Sequence, residues 1–123
     1  MGKKDFKTFF SLFLPQVLPQ ILPFTFGEDE VNLDEAVSAT CTITKGDSPI
    51  HIWWSVFDID LGMDRNLSTN GGVMILRNSQ KISSLNIDAV QARHRGNYSC
   101  YARNKAGIAH FSAFLAVHGE FLS

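Results

Sequence analysis

The amino-acid sequence predicts an all-β fold of two packed sheets, and three observations carry this prediction. Short runs that alternate apolar and polar residues recur about every ten residues beyond Gln20, separated by turn residues. Helical periodicity fades over the same part of the chain. Cys41 and Cys100 both fall on apolar sides of such runs, far apart in sequence. The 123 residues are the length of one domain.

The alternation assigns an inward and an outward face to each predicted strand. The predicted strands are residues 39–44, 50–55, 73–76, 82–87, 97–104 and 109–117. Trp53 and Trp54 are adjacent, so only one of them can face the core. Ile50 and Ile52 share the parity of Trp54, so Trp54 is predicted inward and Trp53 outward. Other predicted inward residues are Ala39, Cys41, Ile43, Leu85, Ile87, Tyr98, Cys100, Phe111, Ala113, Leu115 and Val117.

Composition argues against several kinds of partner. The net charge is -1 and 19% of residues are charged, without the Lys and Arg excess that nucleic acid or an anionic membrane requires. No apolar run reaches the roughly 20 residues of a spanning helix. We therefore expect no nucleic-acid partner and no direct membrane contact by this domain.

The N-terminus differs from the rest of the chain. Lysines at positions 3, 4 and 7 precede an apolar run at residues 9–14, which is the outline of a secretory signal. Pro15 interrupts that run, and no pair of small residues marks a cleavage point. Residues 1–20 are interpreted as an extension, either a degenerate signal peptide or a disordered or packed segment.

Four core residues resemble the signature of the immunoglobulin fold. That fold has a Cys on strand B, a core Trp on strand C and a Tyr two residues before the Cys of strand F, matched here by Cys41, Trp54, Tyr98 and Cys100. Leu85 belongs to the same predicted core. The resemblance implies an inter-sheet disulfide that closes a loop of about 60 residues and stabilises by about 4 kcal/mol. A free buried cysteine pair is the alternative. A disulfide would place the domain outside the cell or at its surface.

Four further segments narrow the resemblance. These are ILPFTFG at 21–27, GDSPIHIWW at 46–54, SLNIDAV at 84–90 and HRGNYSCYARNKAG at 94–107. They look like an I-set immunoglobulin domain of the Down syndrome cell adhesion molecule (Dscam) family, of the arthropod or chelicerate variable-domain type. The predicted domain is residues 21–118, with 119–123 as a tail or linker. Two positions depart from the pattern: His94 replaces an Asp that pairs with Arg, and Glu35 replaces a turn Gly.

The resemblance implies homophilic adhesion. Variable domains of this family pair antiparallel with identical domains through the face of strands A, B, D and E. The partner would be the chain itself or a related isoform, in a secreted protein or a larger single-pass membrane protein. The candidate interface residues here are Thr40, Thr42, Met74, Leu76, Arg77, Ser84, Asn86 and Asp88.

Two other functions remain open on the sequence alone. An immune-type module could bind a foreign or host ligand through the opposite sheet, where Trp53, Tyr101, His51 and His110 are predicted to face out. A structural spacer in a tandem immunoglobulin array would have no ligand of its own.

The sequence offers little support for chemistry. No motif frames a nucleophile beside a base, so we expect no enzyme, no catalytic residue and no cofactor. His51 and His110 lack a third ligand, so no metal is expected, and all four histidines are interpreted as surface residues. Two N-x-S triplets, at Asn66 and Asn97, are possible N-glycosylation sites: Asn66 in a loop and Asn97 facing out of a strand.

Overall fold

The computed structural model describes residues 15–119. The predictions on residues 1–14, including the secretory signal, and on residues 120–123 lie outside this part. Within it, ten strands and one short 3-10 turn at Ala92–His94 follow one another. The strands are β1 Gln20–Ile21, β2 Val31–Asn32, β3 Val37–Lys45, β4 His51–Asp58, β5 Met63–Asn66, β6 Val73–Ser79, β7 Ile82–Ile87, β8 Gly96–Asn104, β9 Gly107–Leu115 and β10 Val117–His118.

The strands form the predicted sandwich. The first sheet has the order β1-β3-β7-β6 and corresponds to strands A, B, E and D. The second sheet has the order β5-β4-β8-β9. A short parallel pair joins β2 to β10, with Val31 opposite Val117. The predicted last strand is therefore broken at Ala116, because Val117 pairs with β2 and not with β8.

The core confirms the disulfide prediction. Cys41 and Cys100 are bonded with an S–S distance of 2.04 Å and join the two sheets. Trp54 is buried, and its indole Nε1 donates to the Ser83 Oγ at 3.0 Å. The Phe24 and Trp54 rings pack in a T-shaped arrangement, with 5.4 Å between ring centroids. Leu85 is fully buried in the same cluster.

His94 is buried, and the prediction of a surface histidine is wrong at this position. Only 3% of its surface is exposed. Its Nδ1 accepts from the Gln91 backbone N–H at 2.9 Å, so the proton lies on Nε2, which is 2.9 Å from the carbonyl oxygen of Gly71. The imidazole thus ties the turn before β8 to the turn before β6 by neutral hydrogen bonds, where the family pattern has an ion pair.

The tyrosine corner is present beside this histidine. The Tyr98 hydroxyl donates to the His94 carbonyl at 2.5 Å. Burial raises the pKa of Tyr98 to about 12, because the phenolate would lose its hydration in the core. At the other departure, Glu35, the left-handed turn position is the preceding residue, Asp34, with φ 71. Glu35 itself accepts from the Asn32 backbone N–H at 2.9 Å, which closes the turn.

Contacts of the domain begin before the predicted boundary at Ile21. Pro19 is fully buried. The Val17 backbone N–H donates to the Asp47 carboxylate at 2.6 Å, and the Val17 carbonyl accepts from the Asn104 side-chain amide at 2.6 Å. Residues 17–19 therefore pack against the loop after β3 and the end of β8, at one end of the sandwich. Across residues 15–119, the fold contains no helix of the length and apolarity needed to cross a membrane.

Candidate recognition surfaces

The outer side of the first sheet is one candidate surface, called here the first-sheet face. The strand register places side chains in rows across it: Thr40 lies opposite Ser84, and Ser84 lies opposite Leu76. Asn86 lies between Ser38 and Met74 in the next row. The outward residues of its three long strands are Ser38, Thr40, Thr42, Thr44, Met74, Leu76, Ile82, Ser84 and Asn86.

Two candidate interface residues differ from the prediction, Ser84 in its exposure and Arg77 in its placement. Ser84 is on the expected side but only 8% exposed, because it is short and its row neighbours flank it. Arg77 has the parity of the inward residues of β6 and lies opposite Ser83. Its guanidinium donates to the carbonyls of Ser79 at 2.5 Å and Gln80 at 2.6 Å, so it closes the turn between β6 and β7. The predicted role of Arg77 on the outer face is wrong.

The first-sheet face is uncharged in its centre. None of the nine outward residues carries a charge, and Met74 and Leu76 are exposed apolar side chains among Ser, Thr and Asn. Asp88 lies at the margin, where it lines a hollow of about 330 Å³ together with Met74 and Asn86. The surface is therefore apolar enough to be buried and polar enough to stay soluble alone.

The outer side of the second sheet, the second-sheet face, carries a continuous row of stacked rings. Ring centroids are 5.2 Å apart for His51 and Trp53, 5.3 Å for Trp53 and Tyr101, and 5.3 Å for Tyr101 and His110. The planes of Trp53 and Tyr101 differ by 6°. The Arg103 guanidinium lies 5.6 Å from the Trp53 ring centre. The four residues predicted to face outward do so, and they share one surface.

This aromatic row is packed mainly against itself. Because the rings stack face to face, their faces are largely taken by one another. The Tyr101 hydroxyl donates to the Asp64 carboxylate at 2.6 Å, and this hydrogen bond raises the pKa of Tyr101. Trp53 and Tyr101 separate the two histidines, and residues 15–119 hold no cluster of three metal-ligating side chains. The aromatic row therefore stabilises the sheet and leaves little ring surface open to a ligand.

Next to the aromatic row, the second-sheet face has a row of serines. Ser55 and Ser99 are buried although they point outward, and Ser99 and Ser112 lie 2.5 Å apart through their hydroxyl oxygens. Asn66 is opposite Ser55 at the end of β5, so the loop prediction for Asn66 is wrong. The next row contains Asn97, directly opposite Phe114.

Sequence reasoning missed β5 and with it the role of Asp64. The segment MDRN of Met63–Asn66 is exposed at every position, so it has no apolar alternation. A strand at the edge of a sheet, with no side chain in the core, gives no periodic signal. Nothing in the sequence indicated that Asp64 meets Tyr101.

Comparison with known proteins identifies the family to which this fold belongs. The family described as immunoglobulin domain matches residues 19–104. The crystal structure of the Dscam1 Ig7 domain, isoform 5, is 40% identical and superposes with a TM-score of 0.74, over 81% of this chain and 96% of that one. The chain belongs to the immunoglobulin domains of the Dscam family. Isoform 9 of the same domain is 39% identical, with a TM-score of 0.72, over 82% of this chain and 100% of that one.

Curated full-length relatives agree with this membership. Cell adhesion molecule Dscam1 of Drosophila melanogaster is 39% identical over 96 residues, which is 78% of this chain and 4% of that protein. Cell adhesion molecule DSCAML1 of Gallus gallus is 32% identical over 84 residues, 68% of this chain and 4% of that protein. This Dscam-type domain thus spans about 4% of the length of such relatives. It belongs to a family of non-enzymatic adhesion domains.

Proposed function

We propose that this domain is an extracellular recognition module that binds an identical domain through the first-sheet face. The observation that carries the proposal is the uncharged centre of that face. In a two-fold contact, residues near the axis meet their own copies, so a central charge would repel itself. Rows built from Thr40, Asn86 and Leu76 meet their copies without that penalty.

The second-sheet face fits self-pairing less well. Arg103 and Asp64 stand on it, and His51 and His110 end its aromatic row. Each charged group near a two-fold axis would face a like charge, which is destabilising. Its aromatic faces are also engaged already. The difference in charge between the two faces therefore favours the first-sheet face as the contact surface.

The variable-domain type is part of the same proposal. Solved structures of the related Dscam1 Ig7 domain include isoforms 5 and 9, so that domain occurs in more than one sequence version. A module that exists in versions can discriminate its own version from others through residues of the contact face. One such contact per domain can be weak, because several domains in a row add avidity.

Bead clustering tests the proposal, because it brings copies of the domain on two opposing surfaces into contact. Beads coated with the full chain should cluster, and beads coated with Leu76→Arg should not, because the new charge meets its own copy. Ile108→Arg is the matched control, since Ile108 is exposed on the second-sheet face. Its beads should cluster as the wild type does.

Two results would contradict the proposal. Loss of clustering in Ile108→Arg alone would move the contact to the second sheet. Absence of clustering in the wild type, with the disulfide formed, would favour a spacer domain or a module that recognises a different ligand.

A further inference from the structure

Both N-x-S triplets lie on one side of the sandwich. Asn66 is opposite Ser55, and Ser55 points outward beside the Asp64 carboxylate. Asn97 has the parity of Ser99 and Tyr101, which also point outward from the second sheet. No Asn-x-Ser/Thr triplet occurs on the first-sheet face of residues 15–119. The only acceptor sequences in this part of the chain therefore share the second-sheet face.

Asn97 stands beside two exposed aromatic rings. Phe114 is its direct partner on β9, and Cβ atoms of such partners are about 5 Å apart. Phe57 lies on the same face of the neighbouring strand β4. Phe114 is 51% exposed and Phe57 45% exposed. The Asn97 side chain is exposed, and its amide makes no hydrogen bond within residues 15–119.

A sugar attached to this amide would cover those rings. The first N-acetylglucosamine of an N-linked glycan has an apolar side formed by ring C–H groups, which packs on aromatic faces. The Arg95 guanidinium lies over the Phe114 ring, 5.4 Å from its centre, in a cation–π contact. Two exposed Phe rings beside an amide that makes no hydrogen bond are therefore a suitable packing surface for an attached sugar.

We propose that Asn97 carries an N-linked glycan whose first sugar packs on Phe114 and Phe57, so that the second-sheet face is the glycan-covered face. Asn66 adds a second glycan at the edge of the same face. The inference rests on the extracellular location in the proposed function. It explains why the exposed rings of this sheet need no protein partner, and it leaves the first-sheet face as the open protein-binding surface.

The attachment is a group transfer with a defined balance. The Asn97 amide nitrogen attacks C1 of a lipid pyrophosphate-linked oligosaccharide. A C–N bond forms, the C1–O bond to the pyrophosphate breaks, the lipid pyrophosphate leaves and the amide loses one proton. Transfer takes place on the emerging chain, so the burial of Ser99 in the folded domain does not prevent it.

Occupancy is tested on the full chain, directed by an added leader into the secretory pathway of cultured mammalian cells. Peptide-N-glycosidase release followed by peptide mass spectrometry should find Asp at position 97, the mark of a released glycan. An unmodified Asn97 in the secreted, disulfide-bonded protein overturns the proposal. This result is independent of bead clustering, so it can be distinguished from failure of the proposed function.

Packing on the rings is tested by a double-mutant cycle on thermal unfolding. Asn97→Gln should lower the unfolding midpoint of the glycosylated protein by about 2–6 °C, and by less than half as much in a Phe114→Thr background. The same substitution in unglycosylated protein from bacteria should be neutral. Asn66→Gln is the matched control, because its effect should not depend on Phe114. Equal losses for Asn97→Gln in both backgrounds would contradict packing on Phe114.

Discussion

At the scale of single residues, His94 shows how one substitution in a family pattern is accommodated. The pattern has an acidic residue there, and the sequence alone left its ion pair in doubt. The imidazole supplies an acceptor on Nδ1 for the Gln91 N–H and a donor on Nε2 for the Gly71 carbonyl. The imidazole thus connects two turns by hydrogen bonds, and the Arg93 guanidinium donates to the same Gly71 carbonyl at 2.6 Å.

Replacing His94 tests this account. His94→Ala removes a buried side chain together with its two hydrogen bonds, and should lower the free energy of unfolding by about 1–3 kcal/mol. His94→Asn offers a side-chain oxygen at a similar position and should recover part of the loss. Urea denaturation measures both. Equal losses in the two variants would show that volume, and not the hydrogen bond, matters.

Tyr98 predicts a fall of stability at alkaline pH. Its pKa is about 12 in the fold, raised from the ordinary value of 10.0 that the side chain has in the unfolded chain. Between these values the unfolded chain binds fewer protons than the native one, so stability decreases as pH rises. Stability from this group is complete below pH 10 and lost towards pH 12. Denaturation at several pH values should show a smaller decrease in Tyr98→Phe. An identical decrease would contradict the assignment to Tyr98.

At the scale of elements, predictability depended on whether a segment buries one face. Strands β3, β4, β7 and β8 alternate strongly, and their inward residues, such as Trp54 and Leu85, are in the core as predicted. Strand β5 has no buried side chain and left no pattern. Arg77 was misplaced for a related reason: at the end of an edge strand, its long side chain bonds turn carbonyls whatever its parity.

The N-terminal contacts define a further element that periodicity could not show. Val17 is held by hydrogen bonds to Asp47, in the loop after β3, and to Asn104, the last residue of β8, both far away in sequence. The sequence pattern assigned residues 17–20 to the N-terminal extension of residues 1–20, because its basic start and apolar run have the outline of a secretory signal. The hydrogen-bond partners of Val17 are brought to it by the tertiary fold, so the local sequence pattern does not indicate them.

Asn104 tests the contribution of this N-terminal contact. Its Nδ2 donates to the Val17 carbonyl and, at 3.0 Å, to the Asp47 carbonyl, while its Oδ1 accepts from the Ala106 N–H at 2.8 Å. Asn104→Ala should lower the free energy of unfolding by about 1–2 kcal/mol. Asn104→Asp keeps the turn acceptor and removes both hydrogen bonds of Nδ2, to Val17 and to Asp47. If Asn104→Asp is as stable as the wild type, these two hydrogen bonds contribute nothing.

At the scale of the whole molecule, the two outer faces differ in kind. The first-sheet face is uncharged in the centre, and the second-sheet face carries a self-packed aromatic row, charged groups and both glycosylation triplets. The fold, the disulfide and the outward aromatics were predictable, because alternation and the Cys, Trp and Tyr spacing report on the core. The location of Asn66 and Asn97 on one face was not predictable, because it depends on the pairing of β5 with β4.

The measurement that tests the central claim most directly is sedimentation equilibrium of the full secreted chain. Concentrations from about 1 µM to about 500 µM cover a contact of roughly −4 to −8 kcal/mol. We expect a monomer–dimer equilibrium that Thr40→Arg abolishes and Ile108→Arg leaves intact, because only Thr40 lies on the first-sheet face. A monomer at every concentration, or a dimer that only Ile108→Arg abolishes, would contradict the account.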